Sequence, residues 1–335
     1  MRLSIVVSVY NDNHDGFLTS CMDSLLDQDI PVGEYEIIAV DDVSTDDSLS
    51  VLRKYEAENP GIVRVIARTE NGGPGAGKNT GLREAKGEYV GYIDHDDIVM
   101  KDAYKKMLEA AEKEDADLAG GLWQIMNKEG ELVKVCANKV FNKTCDITED
   151  IQKDILVKGE RFWNKIIKKS VIEKSGIMLS EGTYIDDTPT TPYWMGLCNK
   201  YAHVDEIVYS TRAHVTSTSR SNLTYEKCMQ HLVTQHRLVE NCKTVGKLEL
   251  LKDALEYRYF FRGFCQNAEL ARNGLSDDEL KDYYKKLRED LSENASGYLK
   301  NPYIKERVSK KQLGLAMVFM KSPTLYDKLL KSRGR

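Results

Sequence analysis

The residues best able to perform chemistry are polar side chains that follow apolar, β-branched runs in the first third of the chain. They are Tyr10, Asn11, Asp41, Asp42, Asp94, His95, Asp96 and Asp97. So many carboxylates in one crevice repel one another unless a cation lies among them. An all-oxygen ligand set favours a hard ion such as Mg²⁺ or Mn²⁺. The pattern therefore predicts a divalent cation.

The spacing of Asp94 and Asp96, a D-x-D pair, suits such an ion. Magnesium-like ions usually take one or two protein carboxylates and complete their coordination with substrate phosphates and water. We therefore expect the ligand to carry a diphosphate, and the two aspartates to be the protein's share of the coordination.

These residues need a scaffold that brings strand ends together. Short β-branched runs alternate with helical patterns from residue 2 to about residue 126, which is typical of βαβ units. The predicted strands cover residues 3–9, 36–40, 63–67, 89–93 and 118–125, and the predicted helices cover 17–26, 47–58, 77–85 and 101–114. Ligands of open parallel sheets bind beyond the carboxyl ends of the strands, where the polar residues would meet.

The remainder of the chain has a different pattern. Residues 146–174 contain a helical stretch. In the earlier part of the chain, a capping box is predicted at residues 44–47, where the second predicted helix begins. From Thr224 onward, apolar residues recur three and four apart, which predicts helices. Residues 217–222 are polar and show neither period, so we place a boundary near residue 220. The prediction is an α/β domain over residues 1–220, with a mostly parallel, Rossmann-like sheet flanked by helices, and a helical domain over residues 221–335.

Composition narrows the function. The 335 residues are 41% hydrophobic and 30% charged, with a net charge of −5, as is ordinary for a globular protein. Residues 300–335 hold ten Lys or Arg against two acidic residues, so the rest of the chain is strongly acidic. An acidic body argues against nucleic-acid binding. The basic tail is either a solvated helical end or a contact for an anionic membrane surface or an acidic partner.

Cysteines and apolar runs bear on the compartment. The seven cysteines are scattered and never form a C-x-x-C pair, which suits a reducing cytoplasm. The apolar run over residues 3–9 is too short for a signal peptide, and no segment reaches the roughly 18 apolar residues of a membrane span. We expect a cytoplasmic protein, soluble or peripheral at the inner face of the membrane.

A glycine-rich segment at residues 72–79 nearly matches the P-loop, G-x-x-x-x-G-K-[ST]. Asn79 stands where that motif needs a hydroxyl for Mg²⁺, and the segment follows the third predicted strand rather than the first. We interpret it instead as a turn whose amides, together with Lys78, face a diphosphate.

Six blocks of sequence, taken in order, resemble the inverting glycosyltransferases of family two, which have a GT-A type fold. The resemblance covers residues 1–220 and rests on SIVVSVYNDN, YEIIAVDDVSTDDS, NGGPGAGKNTGLREAKGEYVGYIDHDD, FWNKIIKKSVIEKSGI, YIDDT and IVYSTRAHVTSTS. It implies a nucleotide-sugar-binding catalytic domain followed by a helical domain for acceptor binding or self-association. It also implies a nucleotide-sugar donor and a glycan, lipid-linked or protein-linked acceptor.

The resemblance also implies roles for single residues. Tyr10 would stack near uracil, and Asp41 or Asp42 would accept the N3 hydrogen, which favours a UDP-sugar. Asn71 and Lys78 would lie near the base or phosphates, although Lys78 stands where the family commonly has Arg. Asp94 and Asp96, with Asp97 beside them, would contact ribose and a Mn²⁺ or Mg²⁺ ion. His95, where the family has a small residue, and His214 are candidate further ligands.

Asp187 lies where the family carries its general base, the second residue of a Glu-Asp pair. Asp186 replaces the Glu, so either aspartate could be the base, and we favour Asp187. The alternatives are an inactive nucleotide-sugar-binding or scaffold protein, a P-loop-like NTPase and a sugar nucleotidyltransferase. Trp123, Trp163 and Trp194 are expected in the core or at a domain seam, with Trp194 a candidate for stacking on an acceptor sugar.

Overall fold

The computed structural model describes residues 1–11, 16–213 and 224–332. The chain divides into two compact units, Met1–Ser219 and Arg220–Arg335. The strands of the first unit are β1 (Leu3–Val9), β2 (Tyr35–Asp41), β3 (Val63–Ala67), β4 (Tyr89–Asp94), β5 (Ile98–Val99), β6 (Leu118–Met126), β7 (Leu132–Cys136), β8 (Cys145–Asp146), β9 (Lys165–Lys168) and β10 (Lys200–Arg212). Its helices are α1 (Phe17–Leu26), α2 (Ser48–Glu58), α3 (Gly73–Glu84), α4 (Ala103–Glu114), α5 (Glu149–Asp154), α6 (Lys169–Ser175) and α7 (Thr191–Leu197), with a π-helical turn at Ile155–Gly159.

The strands form one sheet in the order β3-β2-β1-β4-β9-β6-β10-β5, with β7 beside β6 and β8 beside β10. Strands β3, β2, β1 and β4 are mutually parallel, whereas β9 is antiparallel to both of its neighbours. β1 and β2 are buried along their whole length, as expected for parallel strands covered on both faces. The predicted fold class, a Rossmann-like sheet flanked by helices and followed by a helical region, is confirmed.

The register brings the polar strand ends to one edge. Val9 of β1 pairs with Asp41 of β2, and Ser8 pairs with Asp94 of β4. The residues that follow β1, β2 and β4 therefore lie next to one another at the same edge of the sheet.

Close packing of α3 on β1 explains the glycines of the segment at residues 72–81. A Cβ at Gly77 would lie 2.1 Å from the Ser8 Oγ, and one at Gly81 would lie 2.3 Å from a methyl carbon of Val6. Only glycine permits this approach. Because α3 lies so close to β1, Lys78 is held at the carboxyl end of the sheet.

Several local predictions were wrong. α3 begins at Gly73 rather than residue 77, because Pro74 in its first turn has no N–H to leave unpaired. The capping box at residues 44–47 does not form, since α2 begins at Ser48 without a side-chain cap. β9 lies within the stretch predicted to be helical, because its four residues, Lys-Ile-Ile-Lys, are too few for their period to decide between helix and strand.

The second unit is helical over its described residues. Its helices are α8 (Tyr225–Thr244), α9 (Leu248–Phe260), α10 (Glu269–Gly274), α11 (Asp277–Asn294), α12 (Pro302–Arg307), α13 (Lys310–Lys321) and α14 (Pro323–Ser332), with a π-helical segment at Phe261–Ala268. Ser276 and Ser309 begin α11 and α13 with capping boxes. No helix in the described part of the chain is both long enough and apolar enough to cross a bilayer.

Candidate active site

Nine of the candidate binding or catalytic residues predicted from the sequence line one cleft of about 390 Å³ at the carboxyl ends of β1, β2 and β4. They are Tyr10, Asp42, Asn71, Lys78, Asp94, His95, Asp96, Asp186 and Asp187. The cleft also has aromatic walls, formed by Tyr92, Phe162, Trp163 and Tyr184. Carboxylates from widely separated stretches of the chain therefore meet at one place, beside rings that could contact a sugar or a base.

Asp42 lines the cleft, and its carboxylate is buried and paired. It accepts hydrogen bonds from the amides of Gly72 (3.1 Å) and Gly73 (2.7 Å), and it forms an ion pair with the Nε of Arg68 at 2.7 Å. The Asn71 side chain donates to the Asp42 carbonyl at 2.8 Å. The expectation that these glycine amides face a diphosphate is therefore wrong, because Asp42 occupies them.

Arg68 was not identified from the sequence as a residue of the site, and no motif in the sequence includes it. It stands alone at the end of β3, and its pairing with Asp42 depends on how α3 folds back over the strand ends. Its guanidinium also donates to the Ala76 carbonyl at 3.2 Å and to the Thr80 hydroxyl at 2.6 Å. Arg68 thus joins the beginning of α3 to the carboxylate that faces the cleft.

Asn11 and Asp41 serve the loops around the cleft instead of lining it. The carboxamide oxygen of Asn11 accepts from the amides of Thr45 (2.6 Å) and Asp46 (3.4 Å), which holds the turn before α2. Asp41 ends β2, is buried, and accepts from the Ser44 amide at 3.2 Å. Successive side chains of an extended chain point to opposite sides, so Asp42 faces the cleft and Asp41 does not.

Asp97 does not line the cleft either, and its contacts are with residues of β10. Its carboxylate accepts from the Tyr209 hydroxyl and from the Arg212 amide, both at 2.8 Å, which fastens the loop after β4 to β10. Burial raises the pKa of Asp97 well above its usual range, and the nearby charges of Asp96 and Asp94 raise it further.

A buried lysine in the cleft lining, Lys78, lies between two carboxylates. The Lys78 Nζ lies 2.8 Å from Asp94 and 3.1 Å from Asp186. Burial alone would lower the pKa of Lys78, but the charges of Asp186 and Asp94 outweigh it and raise the pKa well above its ordinary value. Although burial opposes it, the ammonium holds the pKa of Asp94 below its usual value. Lys78 therefore links the D-x-D pair to the segment that carries Asp186.

Asp186 and Asp187 differ in accessibility. Asp186 is buried, and desolvation raises its pKa to about 6 despite the opposing charge of Lys78. Asp187 is half-buried in the cleft wall, and one of its carboxylate oxygens accepts from the Thr188 hydroxyl at 3.1 Å. The side chain of Asp187 is thus the better placed of the two to reach a bound molecule.

The raised pKa of Asp186 predicts a pH effect on stability. A carboxyl that binds its proton more tightly when folded stabilises the protein at low pH, and this contribution is lost as pH rises through about 6. The stability advantage of wild type over Asp186→Asn should therefore shrink by on the order of 2 kcal/mol between about pH 4 and about pH 7. Urea unfolding of both proteins across this range measures it.

Asp150→Asn is the matched control, since the Asp150 side chain is 95% exposed. Its difference from wild type should change little with pH. An advantage of wild type over Asp186→Asn that grows with pH would contradict the assigned direction.

The cleft offers oxygen ligands for a cation from Asp94 and Asp96. The described residues contain no group of three or more His, Cys, Asp or Glu side chains that could hold a metal ion by themselves. His214, the third predicted ligand, lies outside the described residues. Two carboxylates are nevertheless the usual protein share for Mg²⁺ when substrate phosphates supply the rest, so the site fits an ion that arrives with a diphosphate.

His95 lies in the cleft wall next to these carboxylates. Its Nδ1 is 3.0 Å from the Ser8 carbonyl oxygen. Because a carbonyl only accepts, Nδ1 carries the hydrogen in this contact, which fixes the orientation of the ring.

Trp194, a candidate from the sequence for stacking on an acceptor sugar, does not line the cleft. This residue is completely buried, and its Nε1 donates to the Ile177 carbonyl at 3.2 Å, so its proposed stacking on a sugar is wrong. Trp163 lines the cleft instead and contacts Trp123 edge-on, with ring centroids 5.0 Å apart. A tryptophan's access to a ligand depends on packing, which its place in the sequence does not show.

Comparison with known proteins finds glycosyltransferases by a family model and by similarity to curated relatives. The family model described as Glycosyl transferase family 2 matches residues 4–176, just over half of the chain. The poly(ribitol-phosphate) beta-glucosyltransferase of Bacillus spizizenii is 35% identical over 178 residues, which are 53% of this chain and 26% of that protein. The chain thus spans only about a quarter of that relative's length.

Two further comparisons extend over most of the chain. The uncharacterized glycosyltransferase EpsJ of Bacillus subtilis is 27% identical over 311 residues, covering 87% of this chain and 83% of that protein. The crystal structure of S. aureus TarS 1-349 in complex with UDP-GlcNAc has a TM-score of 0.65 at 20% identity, covering 87% of this chain and 81% of that one. The second similarity shows a shared fold.

Proposed function

Because the chain belongs to glycosyl transferase family 2, we propose that it transfers a sugar from a UDP-sugar to a hydroxyl of a glycan or glycoconjugate, with inversion at the anomeric carbon. The observation that carries this proposal is the meeting of Asp42, Asp96 and Asp187 in one cleft. Each has a separate task in such a transfer: base recognition, diphosphate binding and proton removal.

The nucleotide base is proposed to lie between Tyr10 and Asp42. The Tyr10 side chain is 48% exposed, so its ring is open for stacking. Three donors already occupy the Asp42 carboxylate, which has about four acceptor positions. The remaining capacity suits one further donor, and the imide N–H of uracil supplies one. Asn71, beside Asp42, contacts the same end of the nucleotide.

The diphosphate is proposed to lie over Asp94 and Asp96, which would hold a Mn²⁺ or Mg²⁺ ion. When bound, such an ion neutralises the negative charge that develops on the leaving phosphate. Lys78 holds the Asp94 carboxylate in place through their 2.8 Å ion pair. The lysine thus keeps one oxygen of the D-x-D pair oriented before the nucleotide arrives.

Asp187 is proposed to remove the proton from the acceptor hydroxyl as that oxygen attacks the anomeric carbon. Its neighbour Asp186 is held by Lys78, so the two aspartates divide the work of base and structural anchor. Attack on the face opposite the departing UDP inverts the anomeric configuration.

The acceptor is proposed to be a glycan polymer or a lipid-linked or protein-linked glycan, in line with the poly(ribitol-phosphate) acceptor in the name of the B. spizizenii relative. The helical unit would bind the acceptor or mediate self-association. It contains a groove between α11 and α14 whose lining has five basic side chains against three acidic ones, namely Lys281, Lys285, Arg288, Lys328 and Lys331 against Asp277, Asp278 and Asp327. Such a surface suits an anionic acceptor or peripheral contact with the inner face of a membrane.

A donor screen tests the proposed chemistry. We expect hydrolysis or transfer with UDP-sugars, slower turnover with GDP- and TDP-sugars, and at least a roughly tenfold fall in rate when a chelator removes divalent ions. Mn²⁺ or Mg²⁺ should restore the rate. Nucleotide release, measured for each sugar with and without added ion, gives both answers.

A preference for GDP-sugars would overturn the assignment of uracil to Asp42 while leaving the family unchanged. A rate that does not respond to the chelator would overturn the role of Asp94 and Asp96 in ion binding.

A further inference from the structure

The side chain of Tyr92 carries a buried hydroxyl that the protein itself leaves unpaired. Tyr92 is 3% exposed and lines the cleft, and its Oη has no hydrogen-bond partner among the described residues. Leaving a buried polar group without a partner costs about 1–3 kcal/mol, and such groups are uncommon in native proteins. An unpaired hydroxyl in the wall of a binding cleft is accounted for if a ligand supplies the partner.

The ring of Tyr92 is fixed in place by its neighbours. It stacks on Trp194 with centroids 6.2 Å apart and planes 20° apart, and it contacts Phe162 with centroids 5.8 Å apart. Tyr92 also belongs to the central strand β4, whose backbone is paired with β1. The hydroxyl therefore cannot swing to another partner without repacking the wall.

Tyr92 lies on β4 two residues before Asp94, the residue that the proposed function assigns to the diphosphate. Tyr92 and Asp94 are two residues apart on one strand, so their side chains lie on the same face. A tyrosine hydroxyl is protonated near neutral pH and can therefore donate a hydrogen bond. The adjoining walls contain Phe162 and Trp163.

Aromatic faces beside a single hydrogen-bond donor suit a sugar, which presents apolar C–H faces and a rim of oxygens. The base is proposed to lie at the Tyr10 end of the cleft. We propose that the Tyr92 hydroxyl donates a hydrogen bond to an oxygen of the transferred sugar and so helps to determine which donor is accepted. This inference rests on the proposed function of the cleft.

The variant Tyr92→Phe tests it by removing only the hydroxyl. We expect kcat/KM for the donor that the wild type consumes to fall about 10- to 100-fold, as when a site loses one hydrogen bond to its substrate. Affinity for UDP, which lacks the sugar, should stay within about twofold of wild type, measured by calorimetry. The midpoint of thermal unfolding should stay equal or rise, because an unpaired buried hydroxyl is removed.

Tyr104→Phe is the matched control. Tyr104 is 1% exposed, and its hydroxyl also lacks a hydrogen-bond partner among the described residues, but it belongs to the hydrophobic core and does not line the cleft. Its removal should leave the kinetics and UDP affinity unchanged, without a loss of stability.

Two outcomes would overturn the assignment of Tyr92. One is a Tyr92→Phe enzyme whose kcat/KM lies within about twofold of wild type. The other is a loss of UDP affinity equal to the loss in kcat/KM, which would place the contact on the nucleotide. If the wild type prefers another nucleotide sugar, the uracil assignment fails, and the same comparison is made with that donor and its nucleoside diphosphate.

Discussion

Replacing Asp187 by asparagine is expected to lower kcat for sugar transfer by roughly 10²- to 10⁴-fold, the usual contribution of a general base. Asparagine keeps the shape of the side chain but cannot take the acceptor's proton. The fold should persist, because the bonds that begin α7 come from the backbone carbonyl of Asp187, which accepts from the Thr190 and Thr191 amides at 3.0 and 2.9 Å. Initial-rate measurements with saturating donor and acceptor give the change.

Binding of UDP should survive in Asp187→Asn, which separates lost chemistry from a lost site. Asp150→Asn changes an exposed aspartate in the same way and should turn over at the wild-type rate. Turnover of Asp187→Asn within about threefold of wild type would remove Asp187 from the mechanism. A wild type that binds UDP but transfers no sugar would support the inactive, nucleotide-sugar-binding alternative.

Replacing Lys165 by methionine is expected to lower the free energy of unfolding by about 3–5 kcal/mol. Lys165 is almost completely buried, and its ammonium lies 3.1 Å from the Glu160 carboxylate, 2.9 Å from the Asn164 side-chain oxygen and 2.7 Å from the Arg161 carbonyl. Methionine fills a similar volume but leaves the buried charge of Glu160 without its counterion. Urea unfolding near neutral pH measures the loss.

The double variant Lys165→Met with Glu160→Gln should recover part of the lost stability, since no uncompensated charge then remains buried. Lys54→Met is the control on the surface. The Lys54 side chain is 73% exposed and lies 3.8 Å from Glu58, so its loss should cost about 0–1 kcal/mol. A Lys165→Met protein as stable as Lys54→Met would show that the buried pair contributes nothing.

The Lys165 network also bears on the cleft. The segment that it ties together, residues 160–165, carries Phe162 and Trp163, which form part of the aromatic wall. A buried ion pair is weak evidence for stability in general, but breaking one is costly. We therefore expect Lys165→Met to weaken donor turnover as well as folding, through looser positioning of these two rings.

Much of the first unit was predictable from local pattern. β1, β3 and α1 have the predicted bounds, because short β-branched runs indicate strands and apolar residues three and four apart indicate a helix. The D-x-D pair and Asp42 directly follow predicted parallel strands, and the fold rule for such sheets places ligands at that edge. β9 escaped prediction, since its antiparallel pairing with β4 and β6 is a long-range event.

The sequence by itself determined which elements form the scaffold and which residue types follow each strand, since both depend on neighbours along the chain. Only the tertiary structure decided how those side chains are used. It turned Asp42 into the cleft and Asp41 away from it, assigned Asn11 to a loop, and brought Lys78 between Asp94 and Asp186. The physical reason is that side-chain direction and charge pairing follow from packing between segments far apart in the chain, which no local pattern records.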